Sequence, residues 1–185
     1  MSVSELSTST QNYLKAIWGL KEWSSEPVTA TLIAKQLGLK LSSVSDAVRK
    51  MAKQGLVSHT PYGSVELTEL GRQYALVMVR RHRLLESFLV QALGYTWDEV
   101  HNEAENLEHA VSDMLIERVD KFLDYPTRDP HGDPIPTVDG QITIPSAHRL
   151  TDSGAQSQVT VERISDSDPQ LLAFLKEQGI VIGAV

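Results

Sequence analysis

The spacing of apolar residues along the first 55 positions predicts three short helices. Leu14, Ile17 and Trp18 recur at helical spacing within residues 11–23. Two further helices are expected at residues 29–37 and 42–54, and they end at Gly38 and Gly55. Ser42 or Ser43 is expected to cap the third helix, because a serine hydroxyl can accept a bond from a free N–H at a helix start.

A hairpin signal follows directly after these helices. Alternating runs at residues 56–59 and 64–67 flank Pro61-Tyr62-Gly63, a sequence typical of a tight turn. Thr68 is then expected to cap a long helix that runs to about Leu93. Two helices joined by a glycine-containing turn and followed by a hairpin predict a winged helix-turn-helix, a fold that binds DNA.

The rest of the chain is predicted to be helical at first and irregular later. Helices are expected at residues 97–110 and from Ser112 to about Tyr125. Residues 126–149 are rich in proline and lack periodicity, so we expect an ordered tail or linker there. A strand at residues 159–164 and a helix at 169–178 are expected to belong to a small final module.

One face of the third helix is predicted to contact DNA. Val44, Val48 and Met51 form its apolar stripe, and polar residues occupy the other side. Serine hydroxyls suit contacts to phosphates, and the basic side chains suit electrostatic attraction. The wing residue Tyr62 is expected to reach the DNA backbone. The candidate DNA-binding residues are Lys40, Ser42, Ser43, Ser45, Asp46, Arg49, Lys50, Lys53 and Tyr62.

Net charge supports two halves with different tasks. The whole chain carries −7, which taken alone argues against a nucleic-acid partner. Residues 1–80, however, hold nine Lys/Arg and six Asp/Glu, whereas residues 81–185 hold eight Lys/Arg and eighteen Asp/Glu. A mildly basic first half is typical of a DNA-binding domain, and the acidic second half needs another explanation.

A cluster of imidazoles and carboxylates supplies that explanation. His82 and Glu86 lie four residues apart on the long helix, and a second stripe follows at His101, Glu105, Glu108 and His109 on the next helix. Such nitrogen and oxygen donors suit hard or borderline divalent ions, and the chain has no cysteine. The sequence therefore predicts a divalent metal site, with manganese favoured.

The residues described so far resemble the diphtheria toxin repressor (DtxR) family, and within it the manganese-dependent MntR branch. The similarity covers roughly residues 8–147 and includes the segments 81–86 and 100–109, Ser112-Asp113 and the tail motif at residues 129–136. The family's metal ligands match His82, Glu86, His101, Glu105, Glu108 and His109. The resemblance also implies glutamate at the position of Glu105 in manganese sensors, where iron sensors have cysteine.

The resemblance implies one further ligand, from the first helix. Manganese sensors have an acid directly before the tyrosine of that helix and iron sensors have methionine, whereas this chain has Asn12 before Tyr13. An amide oxygen coordinates metal without contributing charge, so we expect weaker or altered binding there.

The predicted fold class is mainly α, in three parts. A winged helix-turn-helix domain (residues 1–75) precedes an all-helical metal-binding and dimerisation domain (residues 76–147). An incomplete SH3-like module (residues 148–185) completes the chain. About half of an SH3-like domain cannot close its sheet, so we expect this module to be disordered or packed differently.

The predicted function is manganese-dependent repression of metal-uptake genes. A homodimer would bind palindromic double-stranded DNA with its recognition helices about 34 Å apart or a multiple of that. We expect Mn²⁺ as cofactor, with Fe²⁺ or Co²⁺ able to replace it in vitro. The first residues lack the features of a signal peptide and no run of 18 apolar residues occurs, so a cytoplasmic protein is expected, without membrane contact or a small organic substrate.

Three alternatives stay open at this point. The first is an iron-dependent regulator of the same family. The second is a di-metal carboxylate oxidase, because the Glu105–Glu108–His109 spacing is similar to helix-borne di-iron motifs. The third is a metal-independent winged-helix regulator with a solvent-exposed His/Glu stripe. Manganese titration separates a metal sensor from the second and third alternatives. Metal-dependent operator binding supports the sensor, turnover with oxygen supports the oxidase, and operator binding unaffected by a chelator supports the metal-independent regulator.

Overall fold

The computed structural model describes residues 3–60 and 63–185 and confirms a mainly helical chain with a winged helix-turn-helix at its start. Short 3₁₀ turns lie at Val3–Glu5 and Leu150–Asp152. The main elements are α1 (Thr8–Glu22), α2 (Ala30–Leu37), α3 (Leu41–Lys53), β1 (Val57–His59), β2 (Val65–Leu67), α4 (Glu69–Leu93), α5 (Val100–Leu107), α6 (Asp113–Phe122) and α7 (Pro169–Glu177).

The chain folds as two compact units, Met1–Val79 and Arg80–Val185, and the division falls inside α4. Each unit has its own apolar core. The core of the first unit is formed by α1, α2, α3, the hairpin and the first part of α4, and it includes Leu14, Ile33 and Val48, all fully buried. The domain boundaries near residues 75 and 147 remain predictions.

The start of α3 differs from the sequence prediction. Thr29 caps α2 by accepting a bond from the Leu32 N–H at 3.3 Å, as expected for a threonine at this position. In contrast, α3 begins at Leu41 with Lys40 as its N-cap, and no side chain caps it. The prediction that Ser42 or Ser43 caps α3 is therefore wrong, because both serines already lie within the first turn, where they are exposed.

The hairpin forms a two-stranded antiparallel sheet in which Val57 pairs with Leu67 and His59 with Val65. Thr68 caps α4 as predicted, since its Oγ1 accepts a bond from Gly71 N at 3.1 Å. A Cβ at Gly71 would lie 1.9 Å from Leu56 O. Glycine at position 71 therefore lets α4 start directly against the chain that enters β1.

The core of the second unit lies between the second half of α4, α5 and α6. Leu84, Val100 and Ala104 are fully buried there, and Ile116 and Val119 pack beside them. Ser112 caps α6 by accepting a bond from Leu115 N at 3.2 Å. The observed α5 is shorter than the predicted 97–110 helix, since it begins at Val100 and reaches its C-cap at Glu108.

The proline-rich tail is ordered, as predicted, and arginines of α4 hold it. Arg80 donates to Pro136 O at 2.7 Å and to Asp120 Oδ2 at 2.5 Å, and Arg83 donates to Pro134 O at 2.6 Å. Gly132 has a φ of +87°, and a Cβ there would lie 2.1 Å from Glu162 O. The tail therefore runs between α4 and the C-terminal segment at very close range.

The C-terminal segment packs against the loop before α5. Ile164 and Leu172 form a small apolar cluster with Trp97. Helix α7 appears where the sequence predicts it, but the strand expected at residues 159–164 is not formed. Val161 exchanges two backbone hydrogen bonds with Gly183 and Ala184, so the extended chain pairs with an irregular segment instead of with a strand.

Among the described residues, none of the helices combines the length and the apolar run that crossing a bilayer requires.

Candidate metal centre and DNA-binding surface

Helices α4 and α5 bring three candidate ligands together in the second unit. His82 Nε2 lies 3.0 Å from Glu86 Oε1 and 3.2 Å from His101 Nδ1, and His101 Nδ1 lies 3.3 Å from the same carboxylate oxygen. The i,i+4 spacing of His82 and Glu86 places both on one face of α4, and His101 projects towards that face from the first turn of α5.

The other ring nitrogen of His82 faces the end of α5. His82 Nδ1 lies 2.6 Å from Glu108 Oε2 and 3.6 Å from Glu105 Oε2. His109 Nε2 lies 3.5 Å from Glu108 Oε1. His109 follows the C-cap of α5 and so does not belong to the helical stripe that the sequence suggested. All six candidate ligands of the second unit nevertheless lie in one continuous cluster. Within it, His82 lies between Glu86 and His101 on one side and Glu105, Glu108 and His109 on the other.

The structure adds three residues that sequence reasoning missed. Asp166 Oδ2 lies 3.0 Å from His101 Nδ1. Asp129 and His131, both buried, form a further group with Glu86. The candidate ligands thus form three groups, within each of which the ligating atoms lie within 4.8 Å of one another: His82, Glu86, His101 and Asp166; His82, Glu105 and Glu108; and Glu86, Asp129 and His131. Asp129 and His131 belong to the tail motif of residues 129–136, but no helical period marked them as partners of Glu86.

Contacts of His131 leave one ring nitrogen directed at a carboxylate. Nε2 donates to Trp97 O at 2.6 Å, and the ring stacks on the Trp97 indole with centroids 6.1 Å apart. Nδ1 lies 3.7 Å from Glu86 Oε2, and both of these buried atoms lack a hydrogen-bond partner within the described chain. A histidine that donates one N–H to a carbonyl presents its other nitrogen as a ligand, so this arrangement suits a metal ion.

Burial and charge shift the pKa values of the cluster in opposite directions. Burial raises the pKa of Glu86, but the facing imidazoles, His82 above all, hold it well below its usual range. Burial lowers the pKa of His101, whereas Asp166 and Glu86 raise it to about 10. Burial and the neighbouring Glu86 carboxylate together raise the pKa of Asp129 well above its usual range.

The buried carboxylates of the cluster need positive charge close to them. Glu86 and Glu108 are fully buried and Asp129 is nearly so, and buried carboxylates are costly unless paired. Protonated imidazoles would supply this charge. A divalent cation supplies the same charge to neutral imidazoles and carboxylates, and nitrogen and oxygen donors without sulfur suit such an ion. The residues present therefore fit a metal centre.

Asn12, the candidate ligand of the first unit, lies on α1. Its Oδ1 is buried and has no hydrogen-bond partner among the residues that the structure describes. A buried amide oxygen without a donor is uncommon, and this one is free to accept a bond or to coordinate. Its assignment as a ligand stays a prediction, as do those of the other candidates.

The candidate DNA-binding residues lie on the outward face of α3. Lys40, Ser42, Ser43, Asp46, Arg49, Lys50 and Lys53 are exposed, and Ser45 is half-buried, with its hydroxyl donating to Leu41 O at 2.9 Å. Tyr62, the candidate from the predicted wing, lies outside the described residues. The buried stripe of α3 consists of Val44, Val48 and Met51, so its polar face points away from the core.

A winged helix followed by a helical domain with a buried His/carboxylate cluster defines a metal-dependent DNA-binding regulator. Residues 5–65 match the family model "Iron dependent repressor, N-terminal DNA binding domain". Residues 68–137 match "Iron dependent repressor, metal binding and dimerisation domain". The chain belongs to the iron-dependent repressor family, that of the diphtheria toxin repressor, as the resemblance implied.

Similar proteins agree with this assignment. The iron-dependent repressor IdeR of Mycobacterium bovis is 36% identical, over 98% of this chain and 84% of that repressor. A structure described as a manganese-dependent transcriptional repressor complex with manganese is 53% identical, with a TM-score of 0.90, over 94% of this chain and 80% of that chain. A structure of ScaR with bound Zn²⁺ is 33% identical, with a TM-score of 0.79, over 94% of this chain and 81% of that chain.

The protein is therefore a metal-dependent transcriptional repressor and not an enzyme, which removes the oxidase alternative. The metal-independent alternative is removed as well, because the family is defined by a metal-binding domain.

Proposed function

We propose that this chain is a manganese-dependent repressor that binds palindromic operators of metal-uptake genes as a homodimer. The observation that carries the proposal is the buried cluster around His82 and Glu86, in which imidazole and carboxylate groups converge within hydrogen-bonding distance. The target genes are an expectation from the family resemblance.

The donor set favours manganese over iron. Glu105 supplies a carboxylate where the resemblance implies cysteine in iron sensors, and the chain has no cysteine at all. Carboxylate and imidazole donors suit Mn²⁺, whereas soft thiolates favour other metals. The 53% identity to a manganese-dependent repressor supports the same choice. An iron-dependent regulator remains the second candidate because the repressor of Mycobacterium bovis, at 36% identity, is described as iron-dependent.

The residues of the cluster divide into two sets that share His82. Glu105, Glu108 and His109 lie on one side of it, and Glu86, His101, Asp129, His131 and Asp166 lie on the other. These residues would hold a manganese ion, whose positive charge would offset the repulsion between their carboxylates. Without it, Glu86, Glu105 and Glu108 repel one another unless the imidazoles are protonated. Metal occupancy therefore selects one arrangement of α4 and α5 from an ensemble, which is a population shift.

An exposed apolar face on α6 supports assembly as a dimer. Met114, Leu115 and Phe122 are 63%, 45% and 66% exposed, whereas Ile116 and Val119 of the same helix are buried. These side chains lie within the segment that matches the family's metal-binding and dimerisation domain. We infer that α6 contacts a second copy of the chain about a two-fold axis, which matches a palindromic operator. Because its target is the chromosome, we place the protein in the cytoplasm.

A gel shift with candidate operator duplexes tests the proposal. The purified protein is incubated with each duplex in Mn²⁺, Fe²⁺, Zn²⁺ or a chelator. We expect a retarded band with Mn²⁺ at lower metal concentration than with Fe²⁺, and no band with the chelator. Activation by Fe²⁺ at lower concentration than Mn²⁺ would identify the iron-dependent regulator instead.

A further inference from the structure

The outward face of α3 has a centre and two flanks. At about 100° per residue, Ser42, Asp46 and Lys53 lie opposite the buried stripe of Val44, Val48 and Met51. Arg49 and Lys50 lie about 50° to either side of this centre, and Ser43 and Ser45 lie nearer the flanks. In a recognition helix, the central side chains point into the major groove and those at the sides approach the phosphates. Asp46, at the centre, and Arg49, one turn later and beside it, both lie within reach of base edges.

Asp46 and Arg49 form an ion pair on this central strip. Arg49 Nη2 donates to Asp46 Oδ1, one turn earlier in the helix, and both side chains are 70% exposed. An exposed i,i+3 pair contributes little to stability, so folding gives no strong reason for it. An acidic side chain on a DNA-binding face also opposes binding to phosphates unless it has a partner. The pair thus calls for an explanation in terms of DNA.

The geometry of the Arg49 guanidinium offers an explanation for this ion pair. Each terminal nitrogen of Arg49 carries two N–H groups, and Asp46 occupies one of those on Nη2. The remaining N–H groups of Nη1 and Nη2 form the planar fork that matches O6 and N7 of guanine. Asp46 also limits the rotamers of a long side chain before DNA arrives, which lowers the entropic cost of the contact.

We propose that Arg49 reads a guanine in the major groove of each operator half-site and that Asp46 is the residue that positions its guanidinium. The inference deepens the proposed function and rests on it. The second oxygen of Asp46 is free to accept from N4 of a neighbouring cytosine. Lys50 and Lys53 carry the same charge as Arg49 but no fork, so their contribution is affinity for phosphates and not base preference.

Selection from a random duplex oligonucleotide pool tests this inference without knowledge of the operator. The full chain, loaded with Mn²⁺, is compared with Arg49→Lys, Asp46→Asn and Asp46→Glu. Glu26→Gln, an exposed acid elsewhere in the first unit, is the charge-matched control for Asp46→Asn. Binding of each variant to the selected duplex is then measured with every base pair substituted in turn.

The wild type is expected to select a palindrome with one strongly preferred guanine in each half. Arg49→Lys keeps the charge and loses the fork, so it should reduce the preference for that guanine about tenfold. Asp46→Asn should weaken the same preference to a smaller extent while increasing affinity for unrelated DNA. Asp46→Glu keeps the carboxylate, so it should show a stronger preference for that guanine than Asp46→Asn does. If Asp46 had only a structural role in the helix, the two variants would not differ in this way. Glu26→Gln should leave the preference unchanged.

Two results overturn the inference, and they are distinguishable. If Arg49→Lys selects the same bases with the same preference as the wild type, Arg49 does not read guanine, although the metal-dependent repressor stands. If the wild type with Mn²⁺ selects no palindrome, the proposed function fails and this inference fails with it.

Discussion

At the scale of single residues, Glu86 is the central group of the His/carboxylate cluster. Its carboxylate is fully buried, and Oε1 lies 3.0 Å from His82 and 3.3 Å from His101 while Oε2 faces His131 at 3.7 Å. No other carboxylate of the described chain belongs to two of the three candidate ligand groups. Charge removal at this position should therefore affect metal binding more than at any exposed acid.

Glu86→Gln tests this role. The substitution keeps the shape of the side chain and removes its charge, so Mn²⁺ affinity should fall by at least the roughly 100-fold that outer-shell substitutions reach. Isothermal titration with Mn²⁺ measures the change, and Glu177→Gln, an exposed acid at the end of α7, is the matched control. An affinity equal to that of the wild type would remove Glu86 from the metal centre.

Asn12 offers a second test at a single position. Its buried Oδ1 has no hydrogen-bond partner among the described residues, and the family resemblance implies an acid at this position in manganese sensors. Asn12→Asp adds a negative charge to an oxygen already in place, so Mn²⁺ affinity should increase about tenfold or more. If the same titration shows no gain, Asn12 is not a ligand.

At the scale of elements, the close contact between α4 and the chain before β1 depends on Gly71. A Cβ at position 71 would lie 1.9 Å from Leu56 O, so Gly71→Ala should destabilise the first unit by about 1–3 kcal/mol, as overpacking does. Gly19→Ala in α1 is the matched control, because nothing lies within 4 Å of the added Cβ. That variant should gain up to about 1 kcal/mol from helix propensity.

Urea denaturation of the two alanine variants measures both free energies. Equal unfolding midpoints for Gly71→Ala and the wild type would show that the contact between Gly71 and Leu56 relaxes without cost.

The elements also show what the sequence can predict. Helical spacing correctly predicted the approximate positions of α1, α2, α4, α6 and α7, because each has a clear apolar stripe or a cap such as Thr68 or Ser112. The early end of α5 was missed, since Glu108 and His109 continue the helical spacing although the backbone turns there. The prediction of a strand at residues 159–164 was wrong, because alternation of apolar and polar residues does not show whether a partner strand exists.

The candidate site follows the same pattern. Spacings of three, four and seven residues predicted the groups around His82 and Glu86, since neighbours on one helix face are fixed by geometry. The sequence did not predict Asp129, His131 and Asp166 as members of the site, because these residues lie on irregular segments. Their approach to Glu86 depends on long-range contacts, such as those of Arg83 with Pro134 and of His131 with Trp97.

At the scale of the whole molecule, the exposed face of α6 should hold two copies together. Phe122→Asp introduces a charge into this face and should convert the dimer to monomer in sedimentation experiments. Phe174→Asp, on α7, is the control, because Phe174 is also exposed, at 54%, but lies outside the matched dimerisation domain. Dimerisation that survives Phe122→Asp and fails with Phe174→Asp would place the interface on the C-terminal segment instead.

The central claim is that metal occupancy and operator binding are coupled, and the coupling must be reciprocal. The most direct test measures Mn²⁺ affinity of the full chain alone and with saturating operator duplex. DNA should tighten Mn²⁺ binding by the same factor by which Mn²⁺ tightens DNA binding, about 5–150-fold for a typical allosteric pair. Equal Mn²⁺ affinity with and without operator DNA would show that metal and operator binding are not coupled.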